Sequence, residues 1–297
     1  MLLDSVRTLL RRHVPPGDVP QPASHAVPSL VPDAALAEDD DPVWPSSRIA
    51  VAEALWGEGF LFPGGAYEVL QLTKPLGLSA ASSLLLIGAG SGGALRHIAA
   101  EFGVWVTGYE ANARLLEVAN ERSRRAGLGR RAQVEPWDPQ APKFPPRYFH
   151  HGMTIEALRL ARPEKLLAAA SLALKPGGQL VLLETVSDLP LEAADPTVAT
   201  WLRLDHRAAG VPSELAITEA LGRLGFDVRI VEDVSRRDML NAMEGWRVAV
   251  EGMAGARPAL RQVAVVVREA ELWLARVRLM RSGRLRLVRW DAIAPGG

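Results

Sequence analysis

The sequence contains no cysteine, which excludes disulfides, thiolate metal sites and a cysteine nucleophile. It has no surplus of charge: 34 Lys and Arg stand against 34 Asp and Glu. A balanced chain gives no electrostatic reason to expect nucleic acid or an acidic membrane as its main partner. No run reaches the ~18 consecutive apolar residues of a membrane span, so no transmembrane segment is expected. The N-terminus places Asp4 early and Arg7, Arg11 and Arg12 late. That order is the reverse of a secretory signal, and a cytoplasmic location is the expectation. What is present suits a globular fold, since 48% hydrophobic and 23% charged residues over 297 positions can bury a sizeable core.

Residues 2–14 read as a short amphipathic helix, with Leu2, Leu3, Val6, Leu9 and Leu10 on one side. Pro15-Pro16-Gly17 ends it by removing donors and forcing extended backbone. From there to Pro45 the chain is rich in Pro, Ala and Asp, with the acidic run Glu38-Asp39-Asp40-Asp41. Residues 1–45 are therefore set apart as a helix plus a mobile arm. The helix is expected to dock on the body or on a second subunit, in a homo- or hetero-oligomer, in preference to weak contact with a membrane surface.

From residue 46 onward strands and helices alternate, which predicts an α/β fold with a mostly parallel sheet and helices on both faces. Leu84-Leu85-Leu86-Ile87 is a continuous apolar strand of the buried parallel kind. A helix over 93–102 follows, then a strand over 104–109 that leads to Glu110. Asn112 is placed to cap a helix over 113–126. Further strands are expected at 132–135, 148–154, 179–185 and 226–232, with helices at 163–174, 212–224 and 258–281. The last segment, 284–290, alternates as an edge-like antiparallel strand should. Its arginines, with Arg276, Arg278 and Arg281 before them, read as a solvated face rather than a nucleic-acid surface.

The chemistry-bearing signal is the loop Gly88-Ala89-Gly90-Ser91-Gly92-Gly93 between that apolar strand and the next helix. Glycines there allow a tight turn and close approach of a ligand to the backbone. Free N–H groups at the helix start favour an anionic group. Glu110 lies twenty residues past Gly90, at the end of the next strand, where a carboxylate can accept from both hydroxyls of a ribose. The pair predicts an adenosine-type ligand. Gly88, Gly90 and Gly93 also satisfy the dinucleotide pattern, so an NAD-linked oxidoreductase stands as a rival reading.

Three stretches together resemble the class I S-adenosylmethionine (SAM) dependent methyltransferases: Leu84 to Gly93, Val106 to Glu110, and Leu174-Lys175-Pro176-Gly177-Gly178-Gln179-Leu180. The resemblance covers residues 46–297 and is nearest to the small-molecule type that acts on phosphoethanolamine, sterols and quinones. It implies a Rossmann-like, seven-stranded sheet with an antiparallel C-terminal strand, SAM as cofactor, and a small or lipid-like acceptor. Carried over residue by residue, Gly88, Ala89, Gly90, Ser91 and Gly92 would cradle the methionyl part and Glu110 the ribose. Asp138 would accept from the adenine amino group, and Trp137 or Ala111 would pack on the ring. The segment Trp56 to Gly65, including Gly59 and Phe60, resembles the arm that closes over the cofactor. A helical lid is expected around 187–211, with Trp201, Leu202 and Leu204 over an apolar acceptor.

Methyl transfer from a sulfonium depends chiefly on alignment, and a base helps only when the acceptor carries a proton to lose. His150 and His151 are the candidates, expected at the strand ends beside the donor site. Glu184, Asp205 and His206 are further candidates near the lid. No spaced metal-ligand set is visible. Two positions depart from the family pattern. Leu86 stands where an acid often helps hold the methionyl ammonium, and Phe149-His150-His151-Gly152 stands where an Asp commonly follows an aromatic residue. They motivate an alternative, a catalytically weakened fold serving as a ligand-binding or partner subunit.

Overall fold

The computed structural model describes residues 41–253 and 260–296, so the helix expected at 2–14 and the arm up to residue 40 lie outside the described residues. Within them the order is α1 (Ser46–Trp56), α2 (Gly65–Thr73), β1 (Ser83–Ile87), α3 (Gly93–Phe102), β2 (Trp105–Glu110), α4 (Ala113–Arg125), β3 (Ala132–Pro136) and β4 (Phe149–Ile155). Then come α5 (Pro163–Ala173), β5 (Leu174–Val186), α6 (Pro196–Asp205), α7 (Glu214–Arg223), β6 (Asp227–Asp233), α8 (Ser235–Met253), α9 (Leu260–Arg281) and β7 (Arg286–Ile293). The seven strands form one sheet in the order β3-β2-β1-β4-β5-β7-β6, with β7 antiparallel to both neighbours. This is the Rossmann-like arrangement that the alternation predicts.

Period-two alternation divides the core. Leu84 and Leu86 of β1 join one apolar layer with Met153, Ile155, Val181 and Leu183. Leu85 and Ile87 join the opposite layer with Phe149, Leu180, Leu182 and Trp290. Local capping sets several boundaries: the Asn112 carboxamide accepts from Leu115 N at 2.9 Å, Asp195 from Thr197 N and Val198 N, and Ser213 from Ala216 N. Each such cap satisfies helix donors that have no partner within the helix.

Two expectations are corrected. β7 is an interior strand, flanked by β5 and β6, and β6 is the edge. Arg278 and Arg281 are exposed as expected, but the partly buried arginines at the last strand pair with acids: Arg284 with Asp195, Arg286 with Asp188 and Glu214, and Arg289 with Asp291 and Glu232. The helix α8 was not anticipated, because Gly245 interrupts its apolar pattern. The packing explains that glycine, since a Cβ there would lie 2.4 Å from the Trp56 ring and 2.7 Å from Leu55 O. Gly245→Ala should therefore force α8 off α1 and cost ~1–3 kcal/mol. A lowered midpoint in denaturant unfolding would register it, and an unchanged midpoint would refute the contact.

Candidate functional site

Strand order places β1 where the chain reverses direction across the sheet, with β2 on one side and β4 on the other. Ligands of open α/β sheets bind beyond the carboxyl ends of strands at such a point. A cavity lies there, walled by Gly88–Gly90, Glu110, Trp137, the turn 155–160, Gly59, Leu61 and Phe62 of the α1–α2 connection, Trp44, Arg48, and residues 269–276 of α9.

The glycine loop and Glu110 meet as the spacing predicts: Gly90 N donates to Glu110 Oε2 at 2.8 Å, and Asn112 N donates to the other oxygen at 2.9 Å. The parallel register of β1 on β2, with Ile87 opposite Tyr109, brings them together. Burial pushes the Glu110 carboxyl up from its ordinary pKa, against the pull of those amides. The amides themselves are not bare, contrary to expectation. Gly88 N and Ala89 N donate to Tyr109 O, Gly92 N to Ala89 O, and Gly93 N to Gly59 O. Near the loop the cavity thus offers the Glu110 carboxylate, an acceptor, where an anion would want donors.

The glycines serve the chain's own contacts as well as any ligand. Gly88 has φ +84°, and a Cβ on it would lie 2.4 Å from Ile155 O. At Gly93 a Cβ would lie 2.5 Å from Gly59 C and O, which is how the arm sits directly on the start of α3. Ser91 is fully buried and donates to Glu53 Oε1 at 3.3 Å; the same oxygen accepts from Gly59 N at 3.0 Å, and Arg122 pairs with that carboxylate. Ser91 and Gly92 hold the loop and do not line the cavity. Phe60 is buried against Phe62 and fixes the arm from behind. Trp137 lines the cavity with its indole N–H buried and unpartnered. Ala111 packs into the apolar layer, and the exposed Asp138 folds onto Gln140 N, both away from the lining.

Residues 84–178 match the family described as "Methyltransferase domain". This stretch runs from β1 to the turn within β5, so the match takes in the glycine loop and Glu110. The chain is 30% identical over 145 residues to Phosphoethanolamine N-methyltransferase 2 of Caenorhabditis elegans, covering 48% of this chain and 33% of that protein. It is 27% identical over 186 residues to Sterol 24-C-methyltransferase of Eremothecium gossypii, covering 61% and 50%. The chain thus spans a third to a half of the length of these curated relatives. Among solved structures, the Haemonchus contortus phosphoethanolamine N-methyltransferase 2 in complex with S-adenosyl-L-methionine superposes with TM-score 0.72 at 22% identity, covering 83% of this chain and 56% of that one. The fold is that of these methyltransferases.

The two histidines are not where they were expected. β4 passes unbroken through Gly152, which pairs with Leu85 and Leu180, and ends only at Ile155. His151 lies opposite Leu84, at the start of β1, so it stands ~13 Å along the strand from the cavity. His150 bonds Ser83 and Lys175 at that far end, and both rings have lowered pKa values, by burial first. The acid that follows strand four is Glu156, with φ +48°. The sequence reading looked for this acid directly after Phe149, near the start of the strand, and so offered His150 and His151 in its place.

Glu156 anchors a buried ionic network that no local pattern reveals. It accepts from Arg276 of α9 at 2.9 and 3.1 Å, and from Thr185. Arg276 also faces Asp238 of α8 at 3.6 Å. Burial is the largest influence on Glu156 and opposes its charge, yet Arg276, Thr185 and Arg207 together outweigh it and the pKa of Glu156 is lowered. Glu184, fully buried in β5, accepts from Thr154 Oγ1, Ala157 N and Leu158 N and so holds the turn beneath the cavity. Asp205 lines the cavity and pairs with Arg207 at 3.2 Å, whereas His206 faces Arg268. Helix α6, within the expected lid, buries Val198, Trp201 and Leu204.

Burial pushes Glu184 up to about 8 and Asp238 up to about 7. The fold therefore holds protons that the unfolded chain has released, from the ordinary carboxyl range up to those values. The stability this contributes is complete at low pH and is lost as pH rises through the folded values. Glu156, with its pKa lowered, acts oppositely and only at the acid end. The melting temperature should fall by roughly 5 °C or more between about pH 6 and pH 9. Glu184→Gln, neutral throughout, should flatten that decline in a calorimetric pH series; an equally steep decline in the variant would refute the assignment.

Proposed function

We propose that this chain is a SAM-dependent methyltransferase acting on a small or lipid-like acceptor. The observation that carries the reading is the Gly90–Glu110 contact at 2.8 Å in a cavity whose loop amides are already engaged. Such a lining suits hydroxyls and a cationic ligand. A pyrophosphate would need the same amides as donors, so an NAD-type ligand is disfavoured. Trp137, with a buried and unpartnered indole N–H, is suited to an aromatic ligand that carries acceptors.

On this reading Glu110 accepts from the ribose hydroxyls, Gly88 to Gly90 border the methionyl part, Trp137 borders the adenine, and Gly59 to Phe62 close the arm over it. SAM when bound supplies an activated methyl group on a sulfonium. The chain's own part is alignment and exclusion of water. Leu86, fully buried in β1, contributes no charge, so the ammonium must rely on carbonyl oxygens. The acceptor occupies the half of the cavity walled by Ile155, Leu160, Leu272 and Trp273, under the cover of residues 187–211.

Calorimetry with SAM, S-adenosylhomocysteine and NADH tests the assignment, followed by mass spectrometry for a methylated product in a panel of amine, hydroxyl and isoprenoid acceptors. Micromolar binding of SAM and a mass gain of one methylene support it. NADH binding alone would overturn it. SAM binding without turnover on any acceptor would favour the weakened partner-subunit alternative motivated by Leu86.

A further inference from the structure

Three arginines border the cavity, and two are neutralised at short range. Arg48 pairs with Glu269 at 2.5 Å and Arg276 with Glu156 at 2.9 Å. Among the described residues Arg159 meets no carboxylate at ion-pair distance. Its one side-chain hydrogen bond runs from Nη1 to the carbonyl of Asp205 at 3.1 Å. A guanidinium carries five N–H donors, so most of them are unused in a half-buried position.

The side chain is also aimed. Ala157 N and Leu158 N, just before it, are held by the buried Glu184. The carbonyl of Arg159 itself accepts from Ala208 N and Ala209 N at 3.1 Å each. A cation fixed by its backbone, partly withdrawn from water and coupled to Glu110 and Asp205 only beyond ion-pair distance, is a site for an anionic group. Leu160, Leu272 and Trp273 supply apolar wall beside it, and the Trp273 indole N–H is buried without a partner, a second donor in the same half of the cavity.

We propose that Arg159 receives an anionic group of the methyl acceptor, which is therefore an amphiphile carrying a phosphate, sulfate or carboxylate next to an apolar chain. This inference rests on the reading of the cavity as a methyl-transfer site. The carboxylates in the same half do not oppose it, because Glu156, Glu269 and Asp205 are matched by Arg276, Arg48 and Arg207.

The test titrates the full chain, saturated with S-adenosylhomocysteine, with octyl phosphate, octyl sulfate and octanoate, and with octanol and octylamine for comparison. At least one of the anions should bind about tenfold or more tighter than octanol. Arg159→Gln should remove that preference and leave the affinity for S-adenosylhomocysteine unchanged, and Arg159→Lys should keep part of it. Equal binding of anions and octanol to the unmodified protein would overturn the inference without touching the methyl-transfer reading. So would a loss of S-adenosylhomocysteine affinity in Arg159→Gln, since the arginine would then serve the cofactor's own carboxylate. Failure of the unmodified protein to bind S-adenosylhomocysteine would overturn both.

Discussion

If Glu110 holds the ribose as proposed, Glu110→Ala should lower the affinity for SAM by roughly a hundredfold, read by calorimetry. Hydrogen bonds to a charged acceptor contribute ~1.5–3 kcal/mol each, and about 1.4 kcal/mol is a factor of ten; two ribose hydroxyls on one carboxylate give that order. Loss of the carboxylate also strands Gly90 N and Asn112 N, which it holds at 2.8 and 2.9 Å. Glu110→Gln separates the two effects. Its carbonyl oxygen can keep one of those amides, but it has a single acceptor for the ligand, so roughly a tenfold loss is expected. An affinity for SAM that survives Glu110→Ala nearly intact, in a protein that melts normally, would show that the ribose lies elsewhere.

The second large effect is on stability. Arg276→Met is expected to cost ~3–5 kcal/mol in denaturant unfolding, because removing one partner of a buried pair leaves uncompensated charge. The Arg276 side chain is 4% exposed, and those of its partners Glu156 and Asp238 are 21% and 7% exposed. Adding Glu156→Gln to Arg276→Met should recover part of the loss, since one stranded charge is removed. The deficit should shrink as pH falls, because Asp238, already pushed up to about 7 beside Arg276, is raised further without it and takes a proton. A cost under ~1 kcal/mol at neutral pH would mean that these carboxylates are hydrated in solution.

The legible parts of this protein share a property: their determinants are close in sequence. The apolar run Leu84 to Ile87 makes a strand buried on both faces, and the glycines after it make the turn. Asn112 caps the helix that it precedes. Glu110 was legible over a longer span because a β-α-β unit converts sequence spacing into position. The helix between β1 and β2 has a restricted length, so a residue twenty places past Gly90 returns to the same end of the sheet.

The misread parts fail for physical reasons. His150 and His151 were placed at the cavity because they directly follow Phe149, where the family pattern puts its acid, but the strand runs on past both to Ile155. The arginines of the last strand read as a solvent face, because alternation reports two sides without saying what packs on either.

The succession of the seven strands, the position of the glycine bend and its carboxylate were written in the chain alone, since each depends on periodicity or on neighbours within one β-α-β unit. The acceptor half of the cavity was decided by tertiary structure. Arg48 finds Glu269 across 221 positions and Arg276 finds Glu156 across 120. Arg159 is singled out only because the other two arginines of the cavity wall, Arg48 and Arg276, have each found an acid. An ion pair of that range depends on where α9 comes to rest against the sheet, and the packing of whole apolar faces, not the charged residues themselves, sets that position.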